Sequence, residues 1–323
     1  MPIPSLFRNA LSIPAIGAPM FLVSNPPLVR AQCKSGVVGA FPHVNARPSQ
    51  QLDAWLTEIE SDLAAHQAAH PDVVVAPYGV NVILHRTNTR LEPDMEIIVA
   101  HKAPLVITCL GHPGKTVEAV HAYGGIVFCD VTSARHARKC IDAGVDGLIC
   151  VGGGAGGHAS NQNSFSLVRE IREIWDGCLA LGGAINDGYQ IRAAEALGAD
   201  LAYMGTRFLA TAESNAQQEY KQMVVDSGVD DLIYSDRFSG VFANFLRKSI
   251  SRFGIDPAAL PAKQPDMSSL VDTDAKVWKD IWTAGQGVAT IHDIPTVADL
   301  VRRIAAEYRA ACQLAMSPAV RAA

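Results

Sequence analysis

The sequence predicts an α/β protein, a (β/α)8 TIM barrel with an inserted small helical domain, and three observations carry that expectation. Eight short apolar runs bounded by turn residues recur before residue 205. Segments with helical apolar spacing lie between them. The alternation stops near residue 211, and an amphipathic helical pattern returns near residue 296. Strand–helix alternation builds a parallel sheet covered by helices, and eight repeats suit closure into a barrel. A doubly wound open sheet is the competing fold, because periodicity does not report closure.

The eight runs are residues 15–18, 37–41, 79–83, 105–109, 126–130, 147–151, 178–181 and 201–204. Several are apolar on both faces, as in Leu-Val-Ile-Thr-Cys-Leu from Leu105. Strands read this way when helices cover one face and a barrel interior the other. Residues 51–69, 116–122, 133–143, 167–175 and 189–197 supply crossover helices, and Asp187 is placed to cap the last of them. Residues 1–210 and 294–323 are expected to form the barrel. Residues 211–293, carrying Phe238, Phe242, Phe245 and Trp278 with turns at Gly254 and Pro257, are expected to form a helical lid over the catalytic face. Residues 296–314 would then return as the eighth barrel helix.

Composition narrows the function. A chain of 323 residues with 49% apolar residues can bury a substantial core. A net charge of -5 without basic runs excludes nucleic acid and anionic membrane surfaces as expected partners. The N-terminus lacks the pattern of a signal peptide, and no stretch approaches a membrane span, so a soluble cytoplasmic protein is expected. Seven cysteines without a C-x-x-C pair point to neither a disulfide framework nor a metal site. The sequence leaves a homo-oligomer open.

In a (β/α)8 barrel, chemistry sits at the C-terminal strand ends. The stretch Ile149 to Ser160, ICVGGGAGGHAS, contains Gly152-x-Gly154-x-x-Gly157 and so copies the dinucleotide-binding fingerprint. Its context does not fit. A polar loop follows it where that fingerprint needs a helix, and Glu170, Glu173 and Asp176 close no strand. The glycines are read as a loop beside His158. After strands seven and eight, Gly182, Gly183, Gly205 and Thr206 suit a phosphate, because bare backbone lets N–H groups approach an anion. His112 is read as structural.

The residues then carry a resemblance. Gly17-Ala18-Pro19-Met20, Gly79-Val80-Asn81, Ala155-Gly156-Gly157-His158, Leu181-Gly182-Gly183, Met204-Gly205-Thr206-Arg207-Phe208 and Trp282-Thr-Ala-Gly285-Gln286-Gly287 occur in order over most of the chain. Together they resemble the nitronate monooxygenase family, formerly called 2-nitropropane dioxygenases. The resemblance implies an FMN-binding barrel with a small helical domain. It places Ala18, Pro19 and Met20 near the flavin ring, Asn81 within hydrogen-bonding reach, and Gly156 and Gly157 close to the cofactor. Gly183, Gly205 and Thr206 would hold the phosphate, with Tyr203 and Met204 lining the approach. Gly285 and Gln286 would border the ring. Many relatives carry a His–Lys pair at the end of strand five, where this chain has Cys129–Asp130, so a carboxylate replaces a cation beside the flavin.

The implied activity is oxidation of alkyl nitronates with O2 to a carbonyl compound and nitrite. His158 would be the catalytic residue, and the base if neutral nitroalkanes are also substrates. An NAD(P)H-dependent FMN reductase of quinones or enoyl thioesters is an alternative on the same scaffold. A flavin-binding protein without turnover is another.

Overall fold

The computed structural model describes residues 3–262 and 279–314, so Trp278 lies outside the described residues. The strands in chain order are β1 (Ala15–Gly17), β2 (Gly39–Pro42), β3 (Tyr78–Ile83), β4 (Leu105–Cys109), β5 (Ile126–Val131), β6 (Gly147–Val151), β7 (Gly157–His158), β8 (Cys178–Gly182) and β9 (Leu201–Met204). All but the two-residue β7 pair in parallel in the order β1-β9-β8-β6-β5-β4-β3-β2. A parallel bridge between Ile16 and Val38 joins the two ends. There Gly17 N–H donates to the Val38 carbonyl at 2.7 Å and Val38 N–H to that of Ala15 at 3.2 Å. The sheet therefore closes on itself, which sets aside the doubly wound alternative.

The covering helices are α1 (Pro26–Lys34), α2 (Ser49–Ala69), α3 (Leu91–Ala100), α4 (Gly114–His121), α5 (Ala134–Asp142), α6 (Ser164–Arg172) and α7 (Gly188–Leu197). Their starts follow local chemistry. Asn25 accepts from Leu28 N–H ahead of two prolines in the first turn of α1, where the missing N–H groups cost nothing. Asp187 accepts from Gln190 N–H at the start of α7, as expected.

Strand parity divides the core. In β4, Leu105 and Ile107 point into the barrel, while Val106 meets the helices. In β5, Phe128 points inward, while Val127, Cys129 and Val131 point outward. The lower end of the barrel is plugged by Phe7, which meets Phe128 edge-on at 5.7 Å. Side chains alternate along a strand, so Asp130 continues the inward row of Phe128 and reaches the upper end.

After β9 come α8 (Thr206–Leu209), α9 (Gln218–Val225), β10 (Leu232–Ser235), β11 (Ala243–Leu246), α10 (Arg247–Ser251) and finally α11 (Val297–Cys312). The inserted segment, expected to be mostly helical, thus also carries two strands. β10 pairs antiparallel with β11, and β11 with β7. Four-residue apolar runs lack a period that separates strand from helix, and only the partner strand decides. α11 packs against α7 and α1 and completes the helical ring. No helix among the described residues is long and apolar enough to cross a membrane.

Candidate active site

A cavity of about 240 Å³ opens at the C-terminal ends of the barrel strands. It gathers Ala18, Pro19, Met20, Asn81, Asp130, Gly156, Gly157, His158, Gly182, Gly183, Tyr203, Gly205, Thr206 and Gly285 in its wall. These come from six strand ends and the inserted segment, spread over most of the chain.

Two expected residues are not in this wall. Met204 is 1% exposed and packs in the layer between barrel and helices. Parity is the reason: Tyr203 points inward from β9, so Met204 must point outward. Its carbonyl still accepts from Ala18 N–H at 2.9 Å. Gln286 lines a neighbouring groove beside α6 and α7. Its backbone N–H donates to the Gly154 carbonyl at 2.9 Å, a structural tie. Conversely, the cavity includes Ile83, Cys109, Asn186, Tyr220 and Thr283, which sequence reasoning did not single out. Tyr220 and Thr283 lie in the irregular segment, where no strand period marks which side chains face the mouth. Ile83 and Cys109 end strands already recognised, and parity would have found Ile83 from Asn81.

The glycine-rich stretch opens no helix, as expected: a turn after β6 leads into the two-residue β7, and α6 begins only after the Asn163 cap. The inserted segment holds it. Asn244, 2% exposed, donates to the carbonyls of Gly153 at 3.0 Å and Ala155 at 2.7 Å. His158 pairs with Ala243 in register and Gly157 with Asn244. The absence of a side chain at Gly156 has a local cause: a Cβ there would lie 2.8 Å from Gly285 N, and one on Gly285 would lie 2.7 Å from the Gly154 oxygen. Two distant glycine motifs thus meet backbone to backbone. Thr206 Oγ1 accepts from Gly285 N–H at 2.9 Å and ties the same segment to β9.

Gly183 and Gly205 behave differently. Gly183 has φ +121° and an added Cβ would sit 3.0 Å from Ala155 N. A Cβ on Gly205 would make only ordinary contacts, 3.6 Å from Ala18 Cβ and 3.8 Å from Met20 Sδ. Protein packing does not require that glycine, so the bare backbone leaves space on the cavity side. Asn81 is oriented by its amide nitrogen, which donates to the Ile107 carbonyl at 3.1 Å.

Two titratable groups of opposite type, His158 and Asp130, line the cavity. His158 Nε2 lies 3.1 Å from Ser239 Oγ, and that hydroxyl donates onward to the Val241 carbonyl at 3.0 Å. With its own proton on Val241, the serine oxygen is placed to accept from Nε2–H of His158. Burial lowers the His158 pKa to about 4. Burial raises that of Asp130 to about 7, and its Oδ1 has no hydrogen-bond partner. Between about pH 4 and 7 both groups are uncharged. No Lys or Arg occurs among the described lining residues. An anionic ligand group would meet backbone N–H and hydroxyl donors here, as in other glycine-lined anion sites.

Comparison with known proteins agrees with this arrangement. The family profile for nitronate monooxygenase matches residues 8–307. A nitronate monooxygenase from Paraburkholderia phytofirmans is 27% identical, with 92% of each chain covered. A (3aS,4S,5R,7aS)-5-hydroxy-7a-methyl-1-oxo-octahydro-1H-indene-4-carboxyl-CoA dehydrogenase from Rhodococcus jostii is 23% identical over 91% of this chain and 92% of its own. Among solved structures, FabK from Thermotoga maritima superposes with a TM-score of 0.79 at 25% identity, covering 95% of this chain and 96% of that one. A nitroalkane oxidase from Streptomyces ansochromogenes shares the fold, with a TM-score of 0.80 at 24% identity over 95% of this chain and 99% of its own. A profile match over nearly the whole length, on a closed barrel whose strand ends bring the scattered motifs into one cavity, means that this chain belongs to the nitronate monooxygenase family.

Proposed function

We propose that the protein is an FMN-dependent enzyme oxidising alkyl nitronates, and nitroalkanes after deprotonation, with O2 to a carbonyl compound and nitrite. The observation that carries this reading is His158, hydrogen-bonded to Ser239, in the wall of a glycine-lined cavity without Lys or Arg among its described residues. When bound, FMN supplies the redox chemistry. Ala18, Pro19 and Met20 offer backbone and side-chain surface to the ring, and Gly183, Gly205 and Thr206 offer bare backbone to the phosphate. Gly156, Gly157, Gly182, Gly285 and Tyr203 complete the walls.

The chain's own chemical task is proton transfer and positioning. Oriented by Ser239, the His158 imidazole is the group that can accept a proton from the α-carbon of a nitroalkane. The resulting nitronate anion would stand beside the imidazolium and offset its desolvation, which counters the low pKa of the empty site. A preformed nitronate needs no such base. Tyr220 and Thr283 hold one another, since Tyr220 Oη donates to the Thr283 carbonyl at 2.6 Å and accepts from Thr283 N–H at 3.1 Å. They form a rigid wall that limits water around the substrate.

The likeness to the CoA-ester dehydrogenase from Rhodococcus jostii keeps a second reading in view, an NAD(P)H-dependent reductase of quinones or enoyl thioesters. Mixing the yellow protein anaerobically with propionate-3-nitronate, NADH or NADPH separates them: loss of the flavin absorbance with the nitronate alone is expected, and loss only with a nicotinamide would overturn the first reading. Absorbance that none of the three changes would instead support flavin binding without turnover. Mass spectrometry of the heat-released flavin should give FMN, and recovery of FAD would refute the cofactor assignment.

Gly183→Val provides a structural check. Its positive φ disfavours any L side chain, and the branched group would press on Ala155 N and the proposed phosphate space. FMN affinity is expected to drop at least about tenfold, the equivalent of ~1.4 kcal/mol, with the far-ultraviolet circular dichroism unchanged. Full flavin occupancy in the folded variant would remove Gly183 from the phosphate site.

A further inference from the structure

Asp130 is the one carboxylate in the described cavity wall, and no Lys or Arg among the described lining residues answers its charge. It ends the inward row of β5, whose neighbours β4 and β6 bring Cys109 and Val151 to the same cavity wall. Its Oδ1 is shielded from water and has no hydrogen-bond partner. The titratable groups that sense it are Cys109 from β4, Tyr203 from β9, and Cys129 and Cys140 from the β5–α5 unit. None is a cation. His158, across the cavity, is neutral above about pH 4. Asn81, the nearest amide in kind, has its nitrogen committed to Ile107 and the Cys109 sulfur.

We infer that Asp130 meets the bound flavin as a carboxylic acid, donating its proton to an acceptor atom of the ring, so that FMN binding is coupled to uptake of one proton above neutral pH. This rests on the flavin reading above. The physical reason is desolvation without compensation. A buried carboxylate is stabilised by cations or by donors, and Oδ1 has neither. Burial alone already brings the group to about 7, and an aromatic ring that displaces water from the cavity would raise it further. The acid's O–H then needs an acceptor. A flavin brings carbonyl oxygens and ring nitrogens, whereas the thiol and phenol beside Asp130 are weak acceptors. An ionised Asp130 would instead set a negative charge beside an electron-accepting ring and an anionic substrate.

The test compares FMN affinity of the apoprotein with that of Asp130→Asn between about pH 7.5 and 9, where the FMN phosphate is already fully ionised. Asparagine presents an N–H donor and cannot titrate. The wild-type dissociation constant should rise by about tenfold per pH unit, the slope for one proton taken up on binding. That of Asp130→Asn should stay flat, so that near pH 9 the variant binds more tightly by at least about tenfold. Calorimetry of wild-type FMN binding at about pH 8, in two buffers of different ionisation enthalpy, should report uptake of close to one proton and does not depend on the variant folding. Parallel pH profiles, or no proton uptake, would overturn the inference while leaving the flavin site intact. A variant weaker than wild type by the same factor at every pH would mean that the carboxylate, not the acid, is the contact, and would also overturn it. Failure of the wild-type protein to bind FMN at any pH would instead sink the flavin reading on which the inference stands.

Discussion

Replacing His158 by alanine should lower turnover of neutral nitroethane by about 10²- to 10⁴-fold, the usual contribution of a positioned general base. Preformed ethylnitronate is already deprotonated, so its oxidation should fall much less. His158→Asn keeps a donor for Ser239 and should behave like alanine on nitroethane, because asparagine has no basic nitrogen. Equal losses on both substrates would assign His158 to binding the nitro group, and wild-type rates on both would remove it from catalysis altogether. The pH dependence follows from the low pKa. A neutral ring is present at neutral pH and is lost as pH falls through about 4 in the empty site, so nitroethane turnover should be lost on the acid side. Stability has the same sign. The folded pKa lies below the unfolded value near 6.5, so the folded state binds fewer protons between these values. The contribution is present above about 6.5 and lost as pH falls toward 4, and His158→Asn should flatten that acid limb.

Asp94→Ala should destabilise the protein by about 3–5 kcal/mol, the range for removing one partner of a buried ion pair. Asp94 and His43 are both 0% exposed. His43 Nδ1 donates to Asp94 Oδ2 at 2.6 Å, and its Nε2 accepts from Asn88 Nδ2 at 3.1 Å. That pattern fits a neutral ring, whose pKa burial lowers against the pull of Asp94. Arg90 lies 2.8 Å from Asp94 and has only 12% side-chain exposure. Burial pushes the Asp94 carboxyl up, but His43, Ser49 and Arg90 together bring it below its usual value. Its stabilising contribution is therefore present above the ordinary carboxylate pKa and lost as pH falls below it. Asp94→Asn should cost less, because an amide oxygen can still accept from His43 while Arg90 loses its counter-charge. The denaturation midpoint in urea, compared at equal m-value, measures both. A midpoint for Asp94→Ala within about 0.5 kcal/mol of wild type would show that the cluster is dispensable. The cluster also backs the cavity: His43 follows the lining residue Pro42, and Asn88 Nδ2 holds the carbonyl of Ile83 at 2.7 Å. FMN affinity should weaken in parallel.

The order of the barrel, the strand ends that line the cavity and the absence of a helix opening at the glycine-rich stretch were legible from sequence alone. Each depends on local information: apolar runs bounded by turn residues, caps such as Asp187, and the missing helix after Gly157. Tertiary structure decided the rest. Closure of the sheet rests on the Ile16–Val38 bridge between strands far apart in pairing order. Parity turned Tyr203 into the cavity and Met204 away from it, a distinction one residue wide that a motif does not resolve. The glycines at 156 and 285 are small partly because each faces the other segment's backbone, so neither motif explains itself alone. Tyr220 and Thr283 reach the cavity from a segment whose short strands gain identity only by pairing with β7 and with each other. Above all, the sequence contains an aspartate and a histidine at two strand ends, but their charge states belong to the folded protein. Desolvation by burial drives both toward neutrality, and desolvation is a property of everything packed around them.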